Sequence, residues 1–341
     1  MSLNPDNEIK QHGGNLSYIL SNFPAAPRPY IDLSTGINPY SYPIGLDNSL
    51  ASRLSDIKEI AEALSSAAKY YGADEQNINM ASGMQPLMFA IASLRFQRNG
   101  ASRVAILSPT YSEYEKIWLS AGHEVVNIGN IADMYKADIA IICNPNNPDA
   151  RISSPEFLVE LAKAMAQKNG WLIVDESFAD LTPELSIVTH IKEQGNLIAM
   201  RSCGKFFGIA GLRVSFAIAP QEISDWLRAV IGSWPIETQV CKALPSMFSD
   251  VEWIEKNRYK LMSESLKWRE ILAQYFKIIG YSSLFTLIET EAAYWHKKLA
   301  ENGILVRMFD YNKNWLRFGL PAEVNLKRIE NILNEIKKEN K

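Results

Sequence analysis

Short hydrophobic runs alternate with longer amphipathic segments through the middle of the chain. The runs IAIIC at 139–143 and WLIV at 171–174 are hydrophobic throughout, which is typical of strands buried on both faces of a sheet. Segments such as 112–122 and 154–170 repeat hydrophobic residues at helical spacing. Strands that alternate with helices of this length need crossover connections, so the pattern predicts a mostly parallel sheet covered by helices.

The same pattern assigns elements along the chain. Seven strands are predicted in this central region, at 77–82, 103–109, 123–128, 138–145, 171–177, 197–205 and 214–220. Helices are predicted at 46–71, 84–97, 112–122 and 154–170. The first 45 residues are rich in Pro, Asn, Gly and Ser and are predicted to be extended and irregular. The C-terminal third, with helices at 250–276 and 325–338 and strands at 304–309 and 315–320, predicts a second, smaller α+β domain.

Composition narrows the class of partner. The 341 residues are 47% hydrophobic, and 35 Lys and Arg against 38 Asp and Glu leave a net charge of -3, which disfavours nucleic acid and favours a small-molecule substrate. Three separated cysteines and four scattered histidines give no disulfide framework and no metal-ligand spacing. The polar N-terminal segment and the lack of a long apolar run predict a cytoplasmic protein that is neither secreted nor inserted in a membrane.

Candidate ligand-binding residues follow the predicted strands, because open α/β sheets bind ligands at the carboxyl ends of their strands. Gly83 and Met84 follow the first strand and begin a helix, whose unpaired N–H groups can bind an anion. An ordinary helix cap by Ser82 is the alternative. Tyr111 follows the second strand, where it either covers a flat ligand or packs on a neighbouring helix.

Polar residues also follow the later strands. Asn147 lies in an Asn-Asn-Pro turn, where its amide either stabilises the turn or donates to a ligand oxygen. Asp175 ends a hydrophobic strand. An unpaired carboxylate is costly to bury there, so we expect a cationic partner, with helix capping as the alternative.

Lys205 lies in the hydrophobic, glycine-broken segment RSCGKFFGIAGLR at 201–213. A lysine in a desolvated pocket has a lowered pKa and becomes a nucleophilic amine. The alternative, a surface-loop lysine, is disfavoured by its phenylalanine and isoleucine neighbours. Ser202 and Arg213 flank Lys205 and can bind an anion together.

Together these residues supply an anion site, an aromatic cover, an amide donor, a buried carboxylate and a reactive amine. Pyridoxal phosphate needs this combination, because its aldehyde condenses with a lysine, its ring nitrogen pairs with a carboxylate and its phosphate needs an anion site. The sequence therefore predicts pyridoxal phosphate as the cofactor.

The order of the motifs SGM, PTY, NPNNP, VDE and SxGKxxGxxGLR resembles the fold-type-I pyridoxal-phosphate enzymes, the aspartate aminotransferase superfamily. Within it, the chain is similar to histidinol-phosphate aminotransferases and, more closely, to L-threonine-O-3-phosphate decarboxylases of cobalamin biosynthesis. The finer similarity lies in four segments: HGGN at 12–15, DLSTGINPYSYP at 32–43, NPNNPDAR at 144–151 and VDESFADLTPE at 174–184.

The resemblance implies the α/β fold of fold-type-I pyridoxal-phosphate-dependent transferases. A large cofactor-binding domain at 46–225 would hold the mostly parallel seven-stranded sheet. The N-terminal arm at 1–45 would join residues 226–341 in a small α+β domain. A homodimer is also implied, because relatives place the active site at the subunit boundary.

Roles in cofactor binding follow from matching positions. Lys205 matches the lysine that condenses with the aldehyde, and Asp175 the partner of the ring nitrogen. Asn147 matches the donor to the 3-oxygen of the ring, and Tyr111 the aromatic residue that stacks on it. The positions that match the phosphate cradle are Gly83, Met84, Ser202 and Arg213.

Four residues match substrate-binding positions. Arg317 in WLRFGLP matches the arginine that binds the substrate carboxylate through two parallel hydrogen bonds. Asn38 matches a residue that approaches the same carboxylate. His12 and Arg307 fall where relatives with phosphorylated substrates bind the phosphate.

Some positions depart from the family pattern. Asp149 and Ala150 stand where aminotransferases usually have Thr-Gly, and Phe178 stands where many relatives have a tyrosine that bonds the 3-oxygen. Gly204 replaces a usual hydroxyl residue. The first two departures are shared with one bacterial subgroup of the decarboxylases.

The resemblance implies decarboxylation of O-phospho-L-threonine to aminopropanol phosphate. Arg317 and Asn38 would hold the bond to the carboxylate perpendicular to the cofactor ring. Transamination of the histidinol-phosphate type uses the same residues with the Cα–H bond perpendicular, so it stays an alternative. A non-catalytic binding protein of this fold is a further alternative, which the presence of Lys205, Asp175 and Arg317 disfavours.

Overall fold

The computed structural model describes residues 12–45 and 47–339. The chain divides into two compact units. One unit draws its residues from 1–40, 148–150 and 255–341, and we call it the terminal unit. The other draws its residues from 41–147 and 151–254, and we call it the central unit.

The described strands follow in chain order: β1 (Ile31–Asp32), β2 (Ile78–Ala81), β3 (Arg103–Leu107), β4 (Glu124–Ile128), β5 (Ile139–Cys143), β6 (Trp171–Asp175), β7 (Leu197–Ser202), β8 (Ser215–Ile218), β9 (Lys277–Tyr281), β10 (Phe285–Glu289), β11 (Ile304–Leu305), β12 (Arg307–Phe309) and β13 (Asn312–Gly319).

The described α-helices are α1 (Ser17–Asn22), α2 (Ile57–Tyr71), α3 (Met84–Asn99), α4 (Glu113–Ser120), α5 (Pro155–Ala166), α6 (Cys203–Phe206), α7 (Gln221–Ile231), α8 (Thr238–Ser249), α9 (Val251–Ala273), α10 (Ala292–Glu301) and α11 (Glu323–Glu339). Short 3₁₀ helices lie at Asn48–Ser52, Glu75–Asn77, Ile131–Lys136, Ala179–Leu181, Pro183–Leu185, Val188–His190 and Ala210–Leu212.

A seven-stranded sheet forms the core of the central unit. Its strand order is β2-β8-β7-β6-β5-β3-β4. The strands from β3 to β7 pair in parallel, whereas β8 is antiparallel to both β2 and β7. The mostly parallel α/β sheet predicted from the sequence is confirmed. The carboxyl ends of its parallel strands lie at one edge, which is where a ligand site is expected.

The central strands are hydrophobic because helices cover both of their faces. Every residue of β5 and β6 is buried, and Ile141, Ile173 and Met200 pack in one cluster with Leu87 of α3 and Ile223 of α7. Burying such side chains contributes roughly 1.5–3 kcal/mol each. The alternation of strand and helix therefore follows from the need to cover a sheet with two apolar faces.

Local sequence signals set the ends of α2. The predicted helix at 46–71 begins as an α-helix only at Ile57, because the Asp56 carboxylate accepts a hydrogen bond from Lys58 N at 2.8 Å and forms a capping box with Glu59. Gly72 ends the helix in the left-handed region, at φ 72°.

The terminal unit contains two small sheets. The antiparallel sheet has the order β12-β13-β10-β9, and β1 pairs in parallel with β11. Helix α1 falls in the segment predicted to be irregular. It forms because Ile19 is buried in a cluster with Ala300 and Leu305, so tertiary packing overrides a weak local signal.

The N-terminal end of α8 packs on the segment that precedes α2. The Thr238 hydroxyl donates to the Arg53 carbonyl at 2.9 Å, and the Ser55 hydroxyl lies 3.2 Å from Thr238 Oγ1. Residues 226–254 belong to the compact central unit, whereas the resemblance implied that they lie in the small domain. The functional domain boundaries stay a prediction.

Among the described residues, no helix is long and apolar enough to cross a membrane.

Candidate active site

A cavity of about 180 Å³ lies in the central unit, at the carboxyl ends of the parallel strands. Seven of the eight cofactor-binding residues predicted from the sequence line it, namely Met84, Tyr111, Asn147, Asp175, Ser202, Lys205 and Arg213. The eighth, Gly83, directly precedes the first of them. The strand-end loops therefore converge as expected for an open α/β sheet.

The start of α3 forms an anion cradle. Gly83 precedes the helix with φ 94°, and no described side chain caps the helix N-terminus. A Cβ at position 83 would lie 2.6 Å from Nη2 of Arg213, so only glycine lets this guanidinium approach the backbone. Unpaired N–H groups beside a guanidinium suit a phosphate group.

Asn147 is held by a turn that its neighbours fix. The Asn144 amide donates to the Ser153 carbonyl at 3.0 Å and accepts from Ser153 N at 2.9 Å. The Asn146 amide donates to the Pro109 carbonyl at 2.9 Å. These two asparagines stabilise the turn, whereas Asn147 lines the cavity and is positioned to donate to a ligand.

Asp175 lies at the end of β6 and is only 3% exposed. Its Oδ1 accepts hydrogen bonds from Ser177 N at 2.9 Å and Ser177 Oγ at 2.6 Å, and its Oδ2 accepts one from the Tyr114 hydroxyl. Burial raises the pKa of Asp175, and these hydrogen bonds and the charge of Lys205 oppose that rise. A buried carboxylate held this way can pair with a protonated ring nitrogen.

Tyr111 and Lys205 complete the cavity wall. Lys205 lies in the short helix α6, and its Nζ is 5.8 Å from the centre of the Phe178 ring. Burial raises the pKa of Tyr111 to about 12, so its phenol stays neutral at physiological pH. The cavity thus holds an amine and an aromatic ring together with the carboxylate and the anion cradle. These residues fit the predicted cofactor.

A buried ion network supports the loop that follows β6. Arg201 donates to Glu176 Oε2 and to Asp180 Oδ1, each at 2.8 Å, and all three side chains are buried. Glu176 also accepts hydrogen bonds from Ile187 N and from the Ser186 hydroxyl, each at 2.7 Å. The network fixes the segment between Asp175 and the end of β7.

A second cavity, of about 370 Å³, lies within the terminal unit. It brings together His12 and Arg307, the pair predicted to bind a phosphate, with Ser34 and His296. His296 is 9% exposed, and burial, followed by the charge of Arg307, lowers its pKa to about 4. His296 is therefore neutral at physiological pH.

Arg317 and Asn38 are both buried in the terminal unit. Arg317 donates to the Ser34 carbonyl at 2.8 Å, and Asn38 accepts from Tyr40 N at 2.8 Å. Burial, followed by the charge of Arg307, lowers the pKa of Arg317 to about 9. Neither residue lines the two cavities described above.

Three residues of these sites, Ser177, Tyr114 and His296, were not predicted from the sequence. Ser177 follows Asp175 by two positions, a spacing at which an Asp side chain often bonds the backbone, so this signal was available. The burial of Tyr114 agrees with its spacing of four from the buried Trp118. Its bond to Asp175 and the place of His296 depend on tertiary contacts that have no local signal.

The chain is similar to known proteins over most of its length. Residues 29–336 match the family model described as aminotransferase class I and II. A threonine-phosphate decarboxylase of Sinorhizobium is 36% identical over 324 residues, covering 92% of this chain and 93% of the relative. A histidinol-phosphate aminotransferase of Buchnera aphidicola is 28% identical over 294 residues, covering 78% of this chain and 80% of the relative.

A solved structure shares the fold. Histidinol-phosphate aminotransferase from Sinorhizobium meliloti in complex with pyridoxal-5'-phosphate has a TM-score of 0.84 at 15% identity, covering 100% of this chain and 98% of that chain. The transferase fold and the cofactor predicted from the sequence are confirmed. The alternative of a non-catalytic binding protein is set aside. The chain belongs to the aminotransferase class I and II family of enzymes.

Proposed function

We propose that this enzyme decarboxylates O-phospho-L-threonine to aminopropanol phosphate, a step of cobalamin biosynthesis. Support comes from the similarity to a threonine-phosphate decarboxylase along nearly the whole chain. The histidinol-phosphate aminotransferases are less similar, at 28%, 26% and 25% identity for three of them.

The observation that carries this proposal is the pairing of two arginines. Arg307 and Arg317 are register partners on the antiparallel strands β12 and β13, so their side chains leave the same face of the sheet. Like charges in this position repel, and the charge of Arg307 contributes to the lowered pKa of Arg317. A substrate with two anionic groups relieves this repulsion, and O-phosphothreonine carries a carboxylate and a phosphate.

We assign each anionic group of the substrate to one arginine. Arg317, whose guanidinium is fixed by its bond to Ser34, binds the carboxylate with Asn38. Arg307 binds the phosphate with His12, which lines the same cavity. Planar guanidinium groups suit both anions through paired hydrogen bonds.

The residues of the central unit supply the remaining chemistry. Pyridoxal phosphate, when bound, supplies an aldehyde that condenses with amines and a ring that accepts an electron pair. Lys205 would hold the aldehyde of the cofactor, and Asp175 would keep a proton on the ring nitrogen. When the carboxylate leaves as carbon dioxide, its bonding electron pair stays with the substrate. A proton from Lys205 Nζ would then form a new Cα–H bond in place of the broken bond to the carboxylate.

A single-turnover assay tests this proposal. We expect the enzyme, incubated with O-phospho-L-threonine and no keto acid, to release carbon dioxide and form an amine while its cofactor returns unchanged. An aminotransferase would convert the cofactor once to its amine form and stop. Stoichiometric pyridoxamine phosphate without carbon dioxide would therefore replace this proposal with transamination.

A homodimer is proposed for the active enzyme. Support comes from an apolar groove of the central unit, whose rim includes the 86% exposed Ile57. Trp234 and Leu54 are also exposed nearby in the chain. At the floor, Asn79 is only 2% exposed, and neither polar atom of its side chain has a hydrogen-bond partner among the described residues. Buried amides are normally paired, which favours a second chain over this groove.

Sedimentation tests the homodimer. We expect a dimer at micromolar concentration and a shift towards monomer for Ile57→Asp. A fully active monomer of the unaltered protein would contradict the proposal.

A cytoplasmic location is also proposed, with support from Cys143, Cys203 and Cys241, which are buried free thiols.

A further inference from the structure

The carboxylate of Asp175 receives a hydrogen bond on each oxygen from its own chain. Ser177 donates twice to Oδ1, through its backbone N–H and its hydroxyl. The Tyr114 hydroxyl donates to Oδ2. All three side chains line the central-unit cavity, so the bonds form in the site itself.

Tyr114 is placed for this contact by helix α4. It is fully buried, and its ring meets the Tyr111 ring edge to face, with centroids 5.4 Å apart and planes at 82°. Burial, followed by the charge of Asp175, raises the pKa of Tyr114 far above its usual value. The phenol therefore keeps its proton and acts as a donor.

We infer that Tyr114 is a positioning residue that acts through Asp175: its hydroxyl keeps the buried carboxylate ionised and limits how strongly that carboxylate attracts the proton of the cofactor ring nitrogen. A donor to a carboxylate stabilises the charged form. When both oxygens of the Asp175 carboxylate accept hydrogen bonds from the protein, less of their negative charge is available to attract the proton on the ring nitrogen. The proton consequently stays on the ring nitrogen, and the ring keeps its capacity to accept electrons.

This inference rests on the role proposed for Asp175, but it does not depend on which substrate the enzyme takes. It holds for decarboxylation and transamination alike, because both need the same protonated ring. Its test can therefore use the absorbance of the resting holoenzyme rather than turnover.

The experiment is a pH titration of the visible absorbance band of the holoenzyme in the Tyr114→Phe variant. Without the hydroxyl, Asp175 becomes more basic and draws the ring proton towards itself. We expect the pH midpoint of the band to rise by about half a pH unit or more. Ser177→Ala, which removes a donor from the other oxygen, should move the midpoint in the same direction and keeps the test valid if Tyr114→Phe fails to fold.

Tyr70→Phe is the matched control, because it removes a tyrosine hydroxyl that donates to a different carboxylate, Asp180, at 3.1 Å. We expect its midpoint to equal that of the unaltered enzyme. A purely structural Tyr114 would lower thermal stability and leave the midpoint in place, and that result would overturn the inference.

A double-mutant comparison separates the inference from the proposal on which it rests. In an Asp175→Asn background the neutral amide cannot hold the ring proton, so adding Tyr114→Phe should give no further shift. A shift that persists in this background would show that Tyr114 acts by another route and overturn the inference. An unaltered spectrum in Asp175→Asn alone would instead refute the role of Asp175.

Discussion

A methyl group at Gly83 would lie 2.6 Å from Nη2 of Arg213, so the guanidinium lies directly against the backbone at the start of α3. We predict that Gly83→Ala weakens cofactor binding by tenfold or more, because the added carbon displaces Arg213 from the anion cradle. Equilibrium titration of the apoenzyme with pyridoxal phosphate measures this change.

Gly100→Ala is the matched control for this substitution. Gly100 lies at the other end of α3 with a positive φ of 70°, but none of the described residues beyond its chain neighbours has an atom within 4 Å of its Cβ position. Both variants should lose about 1–3 kcal/mol of stability because each backbone combines a positive φ with an extended ψ, a conformation that only glycine adopts readily, and only Gly83→Ala should lose cofactor affinity. Equal affinity losses would show that backbone strain, rather than the cradle, is responsible.

Lys205→Ala is expected to abolish the visible absorbance band of bound cofactor. Lys205 is the lysine among the residues that line the central-unit cavity, and the band requires a covalent bond between lysine and aldehyde. Spectrophotometry of the purified variant after cofactor addition measures this. Lys116→Ala, which removes a surface lysine paired with Glu113 at 2.7 Å, should keep the band. If Lys205→Ala keeps it as well, another lysine holds the aldehyde.

Acidification should destabilise the enzyme partly through His296. Its pKa falls from 6.5 to about 4 on folding because of burial and the charge of Arg307. Between these values the unfolded state binds more protons, so the stabilisation is fully present above pH 6.5 and declines as the pH falls towards 4. The contribution is up to about 3 kcal/mol.

The pH dependence of His296→Gln tests this contribution. Urea unfolding of both proteins from pH 8 to pH 4 should show a smaller acid loss in the variant. The stability difference between the two proteins at pH 8 reports packing alone. If the free energies of unfolding of the two proteins fall in parallel from pH 8 to pH 4, protonation of His296 does not contribute to the loss of stability in acid.

Ala150→Gly is expected to stabilise the protein. Ala150 has φ 58°, in the left-handed region that costs an L-residue about 1–2 kcal/mol and glycine almost nothing. The greater freedom of glycine in the unfolded chain offsets part of this gain, so we expect about 1 kcal/mol in denaturant unfolding. Asn169→Gly, at φ 55°, should gain less because asparagine tolerates this region. Equal gains at both positions would contradict this explanation.

Seven of the eight residues predicted to bind the cofactor line one cavity because parallel strands bring distant loops to one edge. Asp175 and Lys205 could be placed together from strand order alone, since the carboxyl ends of β6 and β7 are adjacent. The hairpin of β9 and β10 was not predicted, because its Ser-Ser turn lacks the Asn-Gly or Asp-Gly signal.

Contacts between side chains far apart in sequence could not be predicted. Tyr114 and Asp175 are 61 positions apart, and their bond depends on how α4 packs against β6. The pairing of Arg307 with Arg317 depends on the register of strands β12 and β13, which shifts between Met308 and Phe309. A one-residue change of that register would place the two arginines on opposite faces of the sheet.

The buried network of Arg201, Glu176 and Asp180 constrains how these positions can change. Loss of Arg201 leaves two carboxylates without a cation in the interior, at a cost of about 3–5 kcal/mol, whereas joint replacement of all three residues by well-packed hydrophobic residues can be close to neutral. A path of substitutions that replaces Arg201 first therefore passes through a poorly folded protein. The three residues should change together or persist together, whatever reaction the enzyme performs. Their presence in another chain would consequently indicate a shared loop structure and would say nothing about its substrate.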